Sequence, residues 1–248
     1  MRSLLAPIAA AMILSPALAQ PSDPKWTLEL DSVFTNQNLN DVRVRGDNGT
    51  KFSMNNLTGK GTFRSARFQA TYEGSSGTGY RFLYAPFRIS GNGFLNGATN
   101  FKGVTFGTSD PVNGIYQFNS YRLTWRNRWK QGPNSDWRIG ATLKVRDAEI
   151  RLATLSQAAE DTNIGLVPLL HIYGEEKMSD RLTFIFDMDG LAAPQGRAFD
   201  IGLSLAYQLD DVQSLVLGYR TLEGGVDNDR VFNFFWGNSL TVGYRARF

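Results

Sequence analysis

From Trp26 to the C-terminus the chain alternates apolar and polar side chains every second residue, the pattern of strands with one face in an apolar medium and one in a polar medium. Trp26, Leu28 and Leu30 alternate with Thr27, Glu29 and Asp31, and Ala66, Phe68, Ala70 and Tyr72 alternate with Ser65, Arg67, Gln69 and Thr71. Tyr80, Phe82 and Tyr84 flank Arg81; Tyr121, Leu123, Trp125 and Trp129 alternate with Arg122, Thr124, Arg126 and Arg128. Trp137, Ile139, Ala141, Leu143 and Val145 oppose Arg138, Gly140, Thr142, Lys144 and Arg146. Leu182 to Met188, Phe199 to Tyr207 and Leu215 to Tyr219 continue the pattern, with Asp187, Asp189, Asp200 and Arg220 on the polar side. Helical periodicity is weak throughout this region.

The connections alternate too. Gly74 to Gly79, Gln131 to Ser135, Glu175 to Asp180 and Asp210-Asp211 are tight and rich in Gly, Pro, Asn or Asp. Between them lie longer stretches at 35–61, 91–114, 155–162, 191–197 and 224–233. Short turns at one end and long loops at the other predict an all-β, transmembrane antiparallel up-and-down β-barrel of about ten strands, with both termini on the periplasmic side. Val42 to Arg45 with Phe52 to Met54, and Phe101 to Phe106, also look extended. Read as hairpins within outer loops they leave the count at ten; if either spans with a partner it rises to twelve, and a misread weak strand would lower it to eight.

The first 19 residues have the three parts of an export signal: Arg2, an apolar core from Leu4 to Leu14 too short to span a bilayer, and Ala17-Leu18-Ala19 as a small-x-small cleavage site. The mature chain then starts near Gln20, and residues 20–248 suit a single domain. No later apolar run is long enough for a transmembrane helix. The absence of cysteine removes disulfides, thiolate metal sites and cysteine nucleophiles, and a formal charge of +3 without a basic stripe or entry motif argues against nucleic-acid binding.

At the C-terminus Leu240, Val242, Tyr244, Ala246 and Phe248 form one apolar face against Ser239, Thr241, Gly243, Arg245 and Arg247. This terminal aromatic with alternating apolar positions, Tyr244 and Phe248 above all, resembles the assembly signal of bacterial outer-membrane barrel proteins. Val42-Arg43-Val44-Arg45-Gly46-Asp47, Lys51-Phe52-Ser53-Met54, the run from Phe118 to Thr124, and Pro194-Gln195-Gly196-Arg197-Ala198 resemble segments of a family of small outer-membrane proteins without assigned activity. The resemblance implies a porin-like barrel in the outer membrane of a Gram-negative cell. Its partners would be outer-membrane lipid, lipopolysaccharide and the assembly machinery. It implies no chemistry.

Projection of the polar faces inward places Arg67, Arg81, Arg122, Arg126, Arg128, Arg138, Lys144, Arg146, Arg220, Arg245 and Arg247 in the lumen with Glu29, Asp31, Glu73, Asp187, Asp189 and Asp200. Bases concentrate on the fourth and fifth strands, acids on the first, seventh and eighth. Two readings stay open: a lumen plugged by ion pairs and water, or a narrow channel whose basic excess favours small anionic solutes. His171, the single histidine, is the candidate for a competing class, a barrel-embedded hydrolase acting on lipid or peptide through a general base; Tyr173 stands where a His-x-Ser pattern would need serine. One histidine cannot build a multi-His metal site. Asp227-Asn228-Asp229 lacks the spacing and glycine of an EF-hand and reads as a turn, and Gly91, Gly93 and Gly97 read as loop flexibility rather than a dinucleotide fingerprint. Neither a cofactor nor a metal is expected. Trp26, Trp125, Trp129, Trp137, Tyr80 and Tyr207, on the apolar face near strand ends, predict an interfacial aromatic belt. A soluble lipid-carrier barrel is the third alternative, separable by membrane partition.

Overall fold

The structure, a computed structural model, describes residues 26–44, 48–194 and 196–248. The expected export signal, Arg45 to Asp47 and Gln195 lie outside the described residues. In chain order the elements are β1 (Trp26–Val44), β2 (Phe52–Ser53), α1 (Asn55–Thr58), β3 (Thr62–Glu73), β4 (Thr78–Ala85), β5 (Arg88–Gly93), β6 (Thr99–Phe101) and β7 (Val104–Phe106). There follow β8 (Val112–Gln131), β9 (Ser135–Ala153), β10 (Ala158–Lys177), β11 (Leu182–Ala193), β12 (Gly196–Gln208), β13 (Gln213–Asp227) and β14 (Val231–Arg247).

These form a closed ten-stave antiparallel barrel, each stave paired with the next in sequence and β14 paired with β1 from Thr27↔Arg247 to Val44↔Val231. The Trp26 and Phe248 backbones exchange hydrogen bonds of 2.7 and 2.9 Å, so the C-terminal aromatic locks the seam at its end. The third stave is β4 plus β5, which pair with successive parts of β8; it is interrupted at Pro86, which has no N–H to give a ladder. Val42 with Phe52, and Phe101 with Val104, are extended and paired as local hairpins, which keeps the stave count at ten.

Alternation sorts the side chains. Leu123, Leu166, Leu203, Leu217 and Leu240 stand out on the wall, whereas Arg67, Arg81, Arg122, Asp187, Asp189 and Asp200 are buried in the lumen. Hydrocarbon satisfies an outward leucine and cannot satisfy a backbone amide, which is why the sheet closes on itself. Trp26, Tyr80, Trp125, Trp129, Trp137 and Tyr207 lie at the end of the barrel that carries both termini and the short turns. All but Trp137 are exposed there, and the Trp137 indole donates to Glu176 Oε1 at 2.6 Å.

Three of the stretches expected as long loops are mostly strand. β9 and β10 meet across 154–157, β11 and β12 turn at Pro194, and β13 and β14 turn across 228–230, where Asn228 Oδ1 accepts from the Arg230 and Val231 amides. Beyond the hydrocarbon an outward side chain has no need to be apolar. The contrast that marks a strand therefore fades in Glu160-Asp161-Thr162-Asn163, although these residues pair in turn with Arg151, Ile150, Glu149 and Ala148 of β9. β8 and β10, at 20 residues each, run roughly 65 Å at about 3.3 Å per residue, well past the 9–11 residues a tilted spanning strand requires.

The two remaining outer connections fold into the mouth. Met54 and Leu57 join Val42, Phe52, Phe101, Phe106, Val112, Tyr116 and Phe235 in a buried apolar cluster. Gly91 and Gly93 belong to β5 and not to a loop, and their role is steric. A Cβ on Gly91 would lie 2.6 Å from the Leu57 carbonyl oxygen, and one on Gly93 would lie 2.8 Å from Leu57 Cα. Gln37 continues the inward series Glu29, Asp31, Val33, Thr35 of β1 and its amide donates to Thr58 Oγ1 at 2.6 Å, and the bulge at Gln37/Leu39 then shifts the inward positions to Asn40, Val42 and Val44.

Gly93→Val should therefore lift α1 from its seat while leaving the staves paired. The expected result is faster protease cleavage within 48–61, with the heat-modifiable gel mobility of the folded barrel retained.

Candidate functional site

The lumen has three storeys, each built by inward positions of the staves. At the short-turn end is a cavity of about 440 Å³ whose rim and walls carry Arg126, Arg128, Arg138, Arg245 and Arg247. Each is matched to acid. Arg126 Nε donates to Glu73 Oε1 at 2.8 Å, and Arg138 reaches the other oxygen of the same carboxylate. Arg245 bridges Glu29 at 2.5 Å and Glu175 at 2.8 Å, Arg247 also donates to Glu175, and Arg128, exposed at the rim, lies 3.5 Å from Asp136.

Above this cavity the lumen closes on an ionic network drawn from six staves. Arg81 of β4 binds Asp187 and Asp189 of β11 at 2.8 Å each. Arg122 of β8 binds Asp189 at 2.8 Å and Asp200 of β12 at 2.6 Å. Arg220 of β13 joins Asp187 at 2.8 Å and Asp200 at 2.5 Å, and Arg67 of β3 reaches Asp200 at 3.2 Å. Planar guanidinium forks suit this geometry because each can hold two carboxylates at once. Space for them comes from small inner positions: a Cβ on Gly202 would lie 2.6 Å from the Arg220 guanidinium.

His171 of β10 sits inside this network, fully enclosed. Its Nδ1 is 2.9 Å from Asp189 Oδ1 and 3.4 Å from Arg81 Nη2, while Nε2 has no hydrogen-bond partner among the described residues. Asp189 Oδ1 also accepts from Thr142 Oγ1 at 2.8 Å, and Thr142 pairs with Thr124 at 2.7 Å. No serine is hydrogen-bonded to the ring among the described residues. Among these residues no group of His, Asp and Glu has the arrangement of a metal site.

The third storey is the apolar cluster at the outer mouth. Beside it, Lys144 and Arg146 of β9 face inward without a carboxylate at ion-pairing distance among the described residues. The Lys144 ammonium stands 4.3 Å from the Phe118 ring centroid.

The lumen thus brings together Arg67, Arg81, Arg122 and Arg220 with Asp187, Asp189 and Asp200, and separately Arg126 and Arg138 with Glu73. Lys144 and Arg146 stand apart from both groups. Tyr244 faces outward and its hydroxyl donates to Gln213 Oε1 at 2.5 Å. Sequence reading missed Glu175, which was assigned to a turn. It continues the inward series His171, Tyr173, Glu175 on β10, and extending the alternation through the turn would have found it. It also missed Thr124 and Thr142 as partners of the network.

A closed, outwardly apolar and inwardly polar sheet of this kind is an outer-membrane-type β-barrel. The chain is similar in fold to the outer-membrane protease OmpT of Escherichia coli, at 9% identity and a TM-score of 0.55, covering 94% of this chain and all of that one. It also aligns with Ail, the attachment invasion locus protein of Yersinia pestis (9% identity, TM-score 0.40, 91% and 99% covered). Neisserial surface protein A aligns at 12% identity with a TM-score of 0.38, covering 90% and 97%. No protein-family model matches the chain, and no curated protein sequence matches it. The similarity to the protease structure shows the fold alone and carries no activity with it.

Asp200 accepts from three guanidinium groups, so Asp200→Asn leaves buried positive charge uncompensated. Breaking a buried pair by removing one partner costs about 3–5 kcal/mol. Urea unfolding of the lipid-reconstituted barrel should show a loss of that order, and an unchanged midpoint would contradict the network.

Proposed function

We propose that the protein is a closed structural barrel of the bacterial outer membrane rather than a conducting channel. The observation that carries this reading is the two-layer obstruction of the lumen: the Arg81, Arg122, Arg67 and Arg220 network with its three aspartates, and beyond it the apolar cluster of Met54, Leu57, Phe101 and Phe106. An anion pathway needs basic groups free to exchange ligands with water. Here the central guanidinium groups are already committed to carboxylates of β11 and β12.

Lipid and lipopolysaccharide are the surroundings such a wall would meet, and assembly machinery reading the terminal strand would insert it. The outer rim supports the first of these. Arg64 lies 5.7 Å from the Phe34 ring centroid, and Lys51 and Arg43 lie 4.3 and 5.7 Å from that of Phe232. A cation laid over an aromatic ring at the membrane boundary suits phosphate-bearing headgroups.

The competing reading, a wall hydrolase, draws on the Asp189–His171 pair, since a carboxylate orienting an imidazole is how a general base is held. It requires a substrate to reach Nε2, which the network encloses. In planar bilayers the purified barrel is expected to give no single-channel openings at any voltage, and steady unitary conductance would overturn the closed reading. Phospholipid and peptide turnover should not depend on His171; activity lost in His171→Ala would instead favour the hydrolase.

A further inference from the structure

One stretch of the wall is not sealed. β10 pairs with β9 along its length, from Ala158↔Ala153 to Glu176↔Ser135, but with β11 only from Leu170↔Gly190 to Lys177↔Thr183. Residues 158–169 of β10 therefore have no strand on the β11 side, and of these 158–163 stand beyond the hydrocarbon while 164–169 carry the edge into the apolar part of the wall. The unpaired run begins beside Pro168, which has no N–H to lend to a ladder. Open sheet edges are not found facing lipid unless they border protein or a water-accessible cavity.

The lips of this gap are apolar. Ile164 and Leu166 on β10 point outward, 76% and 69% exposed, and Leu191 and Ala193 of β11 are exposed on the other side. Behind them lies a cavity of about 440 Å³, within the usual range for a small-molecule site, whose lining runs from Leu166, Pro168 and Leu191 to Phe118, Phe235, Lys144 and Arg146.

The electrostatics of this cavity differ from those of the rest of the lumen. Lys144 is only 2% exposed, yet it makes no ion pair or hydrogen bond among the described residues. Arg146 donates to Asn163, its Nε has no partner, and no carboxylate pairs with it among the described residues. The carboxylate that lines the cavity, Glu223, is held by Arg197 at 2.6 Å. A buried cation without a counter-charge is costly, and an anion supplied by a ligand removes that cost.

We propose that the β10–β11 gap is a lateral portal and that the cavity behind it binds an amphiphile with one acidic head and an alkyl chain. The head sits on Lys144 and Arg146. The chain lies along Phe118 and Phe235 and leaves between Leu166 and Leu191. The site adds a ligand to a barrel that is otherwise closed along its axis, and it does not depend on the absence of conductance.

The test uses the full chain in phosphatidylcholine nanodiscs, with the fluorescent fatty acid cis-parinaric acid as probe. Saturable binding is expected, about tenfold or more weaker for the methyl ester and for Lys144→Met or Arg146→Gln, as the loss of a charge-assisted contact implies. Equal binding of acid and ester to the unmodified protein would overturn the proposal, whatever the variants' folding yields. Nanodiscs containing phosphatidylglycerol distinguish the sources. Displacement of the probe by that lipid identifies a membrane phosphate as the natural head, and undiminished probe binding identifies a free carboxylate; either outcome sustains the site. Continuing the Leu170↔Gly190 register would pair Val167 with Ala193. Val167→Cys and Ala193→Cys tethered by a short bis-maleimide should block uptake, and undiminished uptake would refute the portal.

Discussion

Hydrocarbon offers no partner to a peptide N–H or C=O, and the architecture follows from that single constraint. A flat sheet of these staves would leave β1 and β14 with two unpaired edges in lipid, so the edges must find each other. The Thr27↔Arg247 to Val44↔Val231 ladder is that solution, and the Trp26–Phe248 exchange finishes it at the last residue. Closure then fixes the rest of the side-chain arrangement. Every second residue is committed to lipid, and its neighbours are committed to a space narrow enough that charges from opposite staves meet.

That narrowness explains why the lumen is paired rather than merely charged. Arginines on β3, β4 and β8 face aspartates on β11 and β12 across the bore, Arg220 joins them from β13 beside β12, and in so confined a volume an unpaired guanidinium would bear the full cost of desolvation. Past the hydrocarbon the logic inverts. The outer mouth is surrounded by water, so it can be closed as a soluble domain is closed, by burying Met54, Leu57, Phe101 and Phe106 against the strand extensions. One chain therefore carries two kinds of interior, stacked along one axis, because the medium outside the wall changes along that axis.

The same change of medium decides what can be read in the sequence. Within the bilayer, burial alternates with the strand period, so the staves, the short turns and the inward positions of Arg81, Arg122 and Asp187 are visible as odd and even residues. Outside it the wall faces water on its outer side and the contrast disappears, which is why the strand in 158–162 reads as a loop although its backbone pairs with β9. The seat of α1 between Gly91, Gly93 and Gly114 is equally hidden. It depends on a contact between segments far apart in sequence, and a glycine that admits a neighbour's backbone looks the same in one dimension as a glycine that relaxes a loop. Which arginine meets which aspartate is fixed by stave register, a quantity that periodicity does not encode.

Pro168 shows where local and global rules part. In a central strand proline is normally excluded, because it removes a ladder hydrogen bond. Its presence amid Ile164, Leu166 and Leu170, an outward series as apolar as any in the chain, is an inconsistency of the kind that marks function more often than error. The ladder to β11 ends next to it, and the two inward cations that escape the lumen's charge matching, Lys144 and Arg146, stand on the neighbouring stave at that height, opposite Val167 and Gly165. A barrel that must close to exist has left the outer part of one seam, β10 to β11, unpaired beside the cations it has not matched. Wall geometry and charge accounting thus converge independently on the same few residues of β9 and β10.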